Sequence, residues 1–209
     1  MSRGRFITFE GGEGAGKSTQ AALLADALRA RGHEVLLTRE PGGTAEAEAI
    51  RALLLAPDHD WNAEAEALLF AAARADHVAH AIAPALAAGQ WVVCDRYLDS
   101  SRAYQGGSLA DADILALHGI GSAGLLPDCT ILLLASEDAA AARLAARDGG
   151  ESDRIGGRAA DYHRAVASRF RAFAAAEPER FVTVDAAGSI DDVHARILEA
   201  LTPLLAAAA

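Results

Sequence analysis

A chain of 209 residues with 52% hydrophobic and 23% charged content has the size and composition of one compact domain with a sizeable core. Its formal charge of -10 excludes a general nucleic-acid or anionic-membrane surface, where a basic stripe would supply the affinity, so an anionic ligand has to be met by arginines gathered locally. Cys94 and Cys129 sit in apolar strand-like runs, no secretory pattern precedes the glycine loop, and apolar stretches such as "AIAPALAAGQWVV" are interrupted by Pro84 and Gly89. These features predict a chain of the reducing cytoplasm with no membrane segment.

In chain order, "RFITFE" (5–10) reads as a strand, the glycine loop follows, and "STQAALLADALRARG" is a helix closing at Gly32, which makes a βα unit. The alternation continues with strand-like "HEVLLTRE" (33–40), a helix over 44–56 and a long alanine-rich helix over 63–88. "WVVCD" (91–95) lacks polar alternation and so reads as a buried strand, as do "CTILLLA" (129–135) and "RFVTVD" (180–185), before a last helix over 190–205. Five strands with helical crossovers predict an α/β fold, a parallel sheet covered by helices on both faces. No internal repeat is present. "RDGGESDRIGGR" (147–158) breaks the pattern and reads as a mobile charged lid on a single domain spanning 1–209.

Gly11, Gly16, Lys17 and Ser18 satisfy the G-x-x-x-x-G-K-[ST] pattern between a strand and a helix, the context that motif requires of a P-loop NTPase fold. Gly11, Gly12, Glu13, Gly14, Ala15, Gly16, Lys17, Ser18 and Thr19 are therefore expected to cradle a nucleotide polyphosphate, with backbone N–H groups and a helix N-terminus facing the phosphates. Lys17 is the only lysine in the chain; a compact ammonium fits a closed ring of backbone groups where a planar guanidinium does not. Ser18 is the expected Mg²⁺ ligand.

A phosphate loop alone does not distinguish a kinase from a switch or a motor. "CDRY" (94–97) ends a buried strand, where Asp95 would orient Mg²⁺-bound water and Arg96 clamp a phosphate, though a structural Asp-Arg pair fits the same residues. "TREPGG" (38–43) places Arg39 at another strand end, and in isolation it is an ordinary turn. Arg147, Arg154 and Arg158 stand among the glycines of the lid, which suits closure of charge onto a transferring phosphoryl group and equally suits a solvated loop.

"FEGGEGAGKSTQ", "TREPGGT", "LLFAAARADH", "DRYLDSSRAYQGG", "PDCTILL", "SDRI" and "VDAAGSIDDV", in that order, resemble the bacterial thymidylate kinases, P-loop nucleoside monophosphate kinases that phosphorylate dTMP to dTDP with ATP. The resemblance implies ATP and Mg²⁺ as cofactors, dTMP as the acceptor, and a homodimer. It places Phe70 on the thymine ring and Arg74, four residues on and on the same helical face, at O4. Ser101 and Gln105 come near the N3 edge, Tyr104 against the deoxyribose, Glu13 at the 3′-hydroxyl, and Arg39 and Arg96 on the monophosphate. Lys17, Arg96, Asp95 and Arg154 are the implied catalytic residues, and Arg147 packs on adenine beside the backbone near Ala187. Gly14 stands where some relatives carry an arginine, which shifts the compensating charge to the lid and to Arg154. Taken alone, Phe70 would be core and Arg74 a surface cation. Another nucleotide kinase, or a non-kinase ATP-dependent switch, is the competing reading. His77 and His80, one turn apart, lack a third metal ligand and read as solvated or capping groups; Cys94 reads as buried; Glu46, Glu48, Asp191 and Asp192 read as first-turn helix charges.

Overall fold

A computed structural model describes the backbone of residues 3–148 and 154–206, and the side chains of all of these except 146–148. Its strands are β1 (Phe6–Glu10), β2 (Val35–Arg39), β3 (Trp91–Asp95), β4 (Cys129–Leu134) and β5 (Phe181–Asp185), paired in parallel in the order β2-β3-β1-β4-β5. The helices that matter here are α1 (Lys17–Ala30), α2 (Ala45–Leu55), α3 (Ala63–His77), α4 (Ala83–Ala87), α5 (Leu98–Gln105), α6 (Asp111–Ser122), α7 (Glu137–Asp148), α8 (Ala160–Ala176), α9 (Ile190–Ala200) and α10 (Thr202–Ala206).

Every residue of β1 is buried, because the two-residue period of a strand sends alternate side chains to two covered faces. Ile7, Phe9, Val93, Ile131 and Leu133 pack with Leu24 and Leu28 of α1 and Val193 and Ile197 of α9. On the opposite face Phe6, Val92 and Cys94 meet Ile82, Leu86, Leu98 and Ile114, while Leu132 meets Val166 and Phe170 of α8. Thr8 and Thr130, both fully buried on neighbouring strands, satisfy each other at 3.0 Å. Both cysteines are buried and unpaired, as expected.

The predicted helix over 63–88 passes through a π turn at Val78–Ile82 before α4. The reason is Pro84: it lacks an N–H and its ring crowds the preceding turn, and the wider turn, in which the Ala83 N–H reaches the Val78 carbonyl, accommodates it. The predicted last helix likewise divides at Leu201, just ahead of Pro203. Helix α6 was not anticipated, because Gly119 and Gly121 disguise its periodicity; Gly121 lets α6 approach α3 so closely that a Cβ there would stand 3.1 Å from that of Ala75. Glu46 and Glu48 lie in the first turn of α2, and Asp191 and Asp192 in that of α9, where Asp192 completes a capping box with Ser189.

The chain crosses from β3 to β4 over the central β1, so the strand order reverses at the carboxyl ends of β1 and β3. Open α/β sheets bind ligands at that crevice. The glycine loop and Asp95–Arg96 both emerge there. Among the described residues, no helix is long and apolar enough to cross a membrane.

Candidate active site

Gly11, Gly14 and Gly16 have φ of 141°, 70° and 91°. A Cβ on Gly11 would lie 2.6 Å from the Leu133 carbonyl oxygen, and one on Gly14 would lie 2.4 Å from that of Ala140, so the loop presses on β4 and α7 at a distance only glycine permits. No side chain caps α1, and its first residues line the cleft, which leaves the helix's initial N–H groups and partial positive charge for a ligand. Lys17, 6% exposed, folds back across this loop and donates from Nζ to the carbonyls of Gly11 at 3.1 Å and Gly12 at 2.7 Å. Burial, and then the neighbouring Arg96, lower its pKa to about 8.

The Ser18 hydroxyl donates to Asp95 Oδ2, and Asp95 Oδ1 is buried with no hydrogen-bond partner among the described residues. A hydroxyl and a carboxylate with an unused oxygen form a hard donor set that fits Mg²⁺. No group of three or more His, Cys, Asp or Glu side chains gathers for a metal among the described residues, as fits an ion that takes most of its ligands from water and phosphate.

Arg96 adopts a left-handed φ of 70°, uncommon away from glycine, and this turns its guanidinium over the loop. It donates to Glu13 Oε1 at 2.5 Å, Ser100 Oγ at 3.1 Å and the Gly11 carbonyl at 3.3 Å, and its guanidinium carbon lies 5.0 Å from the centre of the Tyr104 ring. Burial opposes its charge, but Glu13, Tyr104 and Asp95 outweigh burial and hold its pKa above the ordinary arginine value. The turn is held from behind by Glu10, which accepts from the N–H groups of Tyr97 (2.9 Å) and Ser100 (3.1 Å) and from Ser100 Oγ (2.6 Å). Burial, and then Asp99, push Glu10 up to about 7. The Tyr104 hydroxyl donates to Glu13 at 3.0 Å, so Glu13, Arg96 and Tyr104 form one contact set.

Deeper in the cleft, Arg74 is 3% exposed and fully engaged on one side. Its Nε donates to Glu40 Oε2 at 2.7 Å and its Nη2 to Ser101 Oγ at 2.8 Å and the Tyr97 carbonyl at 3.2 Å, leaving Nη1 without a partner among the described residues. Glu40 also meets His77 Nδ1 at 3.1 Å, while His77 Nε2 reaches Thr38 Oγ1 at 2.8 Å. His77 is therefore completely buried, which corrects its reading as a solvated or capping group: the carboxylate at the strand end needs a second partner, and His77 faces it. His80 is exposed and pairs with Asp76, as expected. Gln105 donates from Nε2 to Glu66 Oε1 at 2.9 Å, and its Oε1 is buried with no hydrogen-bond partner among the described residues. Phe70 borders the cleft and also packs on the cluster around Phe170 and Ile155.

The structure brings loop residues 13–19, Arg39, Phe70, Arg74, Asp95, Arg96, Ser101, Tyr104 and Gln105 to one cleft of about 630 Å³, with Gly11 and Gly12 not among its lining residues. Arg39 sits at its rim, with Nη2 on both Glu48 oxygens at 3.0 and 3.1 Å. Arg154 is turned elsewhere: Nε donates to the Leu54 carbonyl at 2.9 Å and Nη2 to Glu66 at 2.5 Å, and Arg158 shares that Glu66 oxygen at 2.6 Å. Arg143 of α7 reaches the loop, donating to the carbonyls of Gly14 and Ala15 at 3.4 Å and of Ala186 at 2.8 Å. The Arg147 side chain and residues 149–153 of the expected lid lie outside what is described. Glu10, Glu40 and Glu66 were missed; the available signal was an acid closing an apolar strand in "FITFE" and in "VLLTRE".

Residues 9–197 match the family described as Thymidylate kinase. The thymidylate kinase of Rhizorhabdus wittichii is 60% identical over 205 residues, covering 97% of this chain and 99% of that protein, and that of Chromohalobacter salexigens is 50% identical with 99% of each covered. Among solved structures, a thymidylate kinase from Ehrlichia chaffeensis superposes with a TM-score of 0.77 at 30% identity, over 95% of this chain and 98% of the other. Matched almost from end to end in both sequence and fold, the chain belongs to the thymidylate kinase family.

Proposed function

We propose that the chain transfers the γ-phosphoryl group of ATP to dTMP, yielding dTDP and ADP. The observation that carries this reading is the pair of unused polar groups in the deep cleft. Among the described residues, Arg74 Nη1 is a donor without an acceptor and Gln105 Oε1 an acceptor without a donor. Thymine supplies the complement of both, an O4 acceptor beside an N3–H donor. Cytosine offers an amino group and a bare nitrogen in the same places, and so mismatches twice.

The acceptor is a phosphate oxygen already anionic at neutral pH, so no general base is needed. That oxygen bonds to the γ-phosphorus as the bond to the bridging oxygen of ADP breaks, and the residues position and neutralise. Lys17 would leave the carbonyls of Gly11 and Gly12 for the β- and γ-phosphates; Arg96 and Arg39 would hold the dTMP phosphate, and Glu13 and Tyr104 the deoxyribose. Mg²⁺, held by Ser18 and Asp95, would neutralise charge on the β- and γ-oxygens. Residues 147–158 would act as a lid on a single domain, bringing Arg154 to the transferring group and Arg147 to adenine.

A coupled ADP-release assay over dTMP, dUMP, dCMP and dGMP tests the assignment. dTMP should be the best acceptor, dUMP weaker by the about 1–3 kcal/mol of one missing methyl group, and dCMP and dGMP very poor. Preference for dCMP or dGMP would overturn it. Guanine repeats the keto and N–H edge on a larger ring, so dGMP probes fit and dCMP probes hydrogen bonding.

A homodimer follows from the same reading. Leu68 of α3 and Leu115 and Ile120 of α6 are 56%, 39% and 86% exposed on two helices that pack side by side, an apolar face suited to a second copy. Sedimentation should give about twice 21.6 kDa for the wild type and the single-chain mass for Ile120→Glu; a monomeric wild type would exclude the dimer. Two buried free cysteines are compatible with the reducing cytoplasm expected for such an enzyme.

A further inference from the structure

We infer that Glu66 fixes which end of the Gln105 amide faces the substrate, and so acts as a specificity-positioning residue that never touches the base. The inference rests on the reading of the cleft as a thymidylate site. Glu66 lies in the first turn of α3, where an acid is ordinarily a solvated helix-end charge, yet here it is 3% exposed. Its two oxygens are divided. Oε2 takes the guanidinium groups of Arg154 at 2.5 Å and Arg158 at 2.6 Å, and Oε1 takes the Nε2 of Gln105 at 2.9 Å.

A primary amide can present either its oxygen or its nitrogen to the cleft at almost no steric cost, and the two presentations have opposite hydrogen-bonding sense. Glu66 removes the choice. A carboxylate opposite a guanidinium group only accepts, and Arg158 keeps Glu66 in that state when Arg154 leaves for the phosphates, so the Gln105 nitrogen must face it; the reversed amide would set oxygen against oxygen in a buried site and leave its N–H groups without that partner. The Gln105 oxygen is thereby turned away from Glu66 and left, buried and without a hydrogen-bond partner among the described residues, as the end of the amide open to a base entering the cleft that Gln105 lines. It accepts an N3–H and rejects a ring nitrogen that can only accept. Arg74 reads one atom of the base and Gln105 the next, each oriented from behind by a buried carboxylate, Glu40 in the first case and Glu66 in the second.

Glu66→Gln reverses this logic with little change of shape. Arg154 and Arg158 would hold the new carbonyl oxygen, the new amide nitrogen would face Gln105, and Gln105 would turn its own oxygen toward it and its nitrogen into the cleft. The ratio of kcat/KM for dTMP to that for dCMP should fall on the order of 10-fold or more, mostly through KM for dTMP. In a Gln105→Ala background the same substitution should leave the ratio unchanged, because the effect runs through the amide. If Glu66 only supported the fold, both substrates would suffer in parallel and the ratio would stay within about 2-fold of wild type, which would overturn the inference. A wild type that shows no preference for dTMP would instead overturn the thymidylate reading, and this inference with it.

Should Glu66→Gln not fold, the wild type decides. With ¹⁵N-labelled dTMP and ¹³C-labelled glutamine, a coupling across the hydrogen bond from the base N3 to the Gln105 side-chain carbonyl carbon is the expected result. Contact between the base and the Gln105 amide protons would contradict it.

Discussion

Lys17→Met should lower kcat/KM for both ATP and dTMP by on the order of 10²- to 10³-fold, the loss that follows removal of one preorganised charge donor from a transferring group. Lys17→Arg should fare little better. The ammonium sits between the carbonyls of Gly11 and Gly12 at 3.1 and 2.7 Å, in a loop whose glycines already approach β4 and α7 as closely as backbone allows, and a planar guanidinium does not fit there. Because the chain has one lysine, reductive methylation reaches only Lys17 and the N-terminal amine, and ATP–Mg²⁺ should protect the first alone. Full dimethylation of Lys17 with undiminished ADP formation would contradict this role. The pH dependence has a defined sign. Burial and Arg96 hold the free-enzyme pKa at about 8, so the ammonium is lost as pH rises through that value and kcat/KM for ATP should fall above it. Bound polyphosphate favours the charged form, so the fall in kcat should come at higher pH; a kcat/KM for ATP that stays flat well above pH 8 would show that Lys17 is not required in its charged form.

Arg154→Ala should reduce kcat by on the order of 10²-fold or more while KM for dTMP changes little, as expected of a charge used when the phosphoryl group is in flight. The structure sets the cost of that role. Arg154 is held by the Leu54 carbonyl and Glu66, away from the phosphate loop, and must release both to act, whereas Arg143 already lies over Gly14 and Ala15. Single-turnover rates separate them: an unchanged rate in Arg154→Ala with a large loss in Arg143→Ala would move the role to α7. Gly14→Arg should not rescue Arg154→Ala, because its Cβ would lie 2.4 Å from the Ala140 carbonyl oxygen.

The sheet was legible in the sequence for a physical reason. Strands covered on both faces, such as "WVVCD" and "CTILLLA", are short runs rich in Val, Ile and Leu with little polar alternation, whereas the apolar runs of the helices, such as "ALLFAAA" in α3, are built largely on alanine. The glycine loop was legible because φ values near 70° to 141° and close backbone contacts leave glycine no competitor. Helix α6 was hidden by its own glycines, and the π turn by a proline that reads as an ordinary interruption. What the sequence conceals most thoroughly is the buried acids. Glu66, in an alternation of Ala and Glu, is indistinguishable from the solvated Glu64 two residues earlier, and only the arrival of Gln105, Arg154 and Arg158 from distant segments makes it a partner. His77 was misread for the same reason, since Glu40 and Thr38 reach it from another strand end.

The central claim is direct transfer between two nucleotides in one cleft, and the fate of the γ-phosphate tests it most directly. With γ-³²P-labelled ATP, Mg²⁺ and dTMP, the label should appear in dTDP in step with ADP, and removing either dTMP or the divalent cation should stop its release. Label released as inorganic phosphate at a rate indifferent to dTMP would contradict the account and mark the chain as a hydrolysing switch.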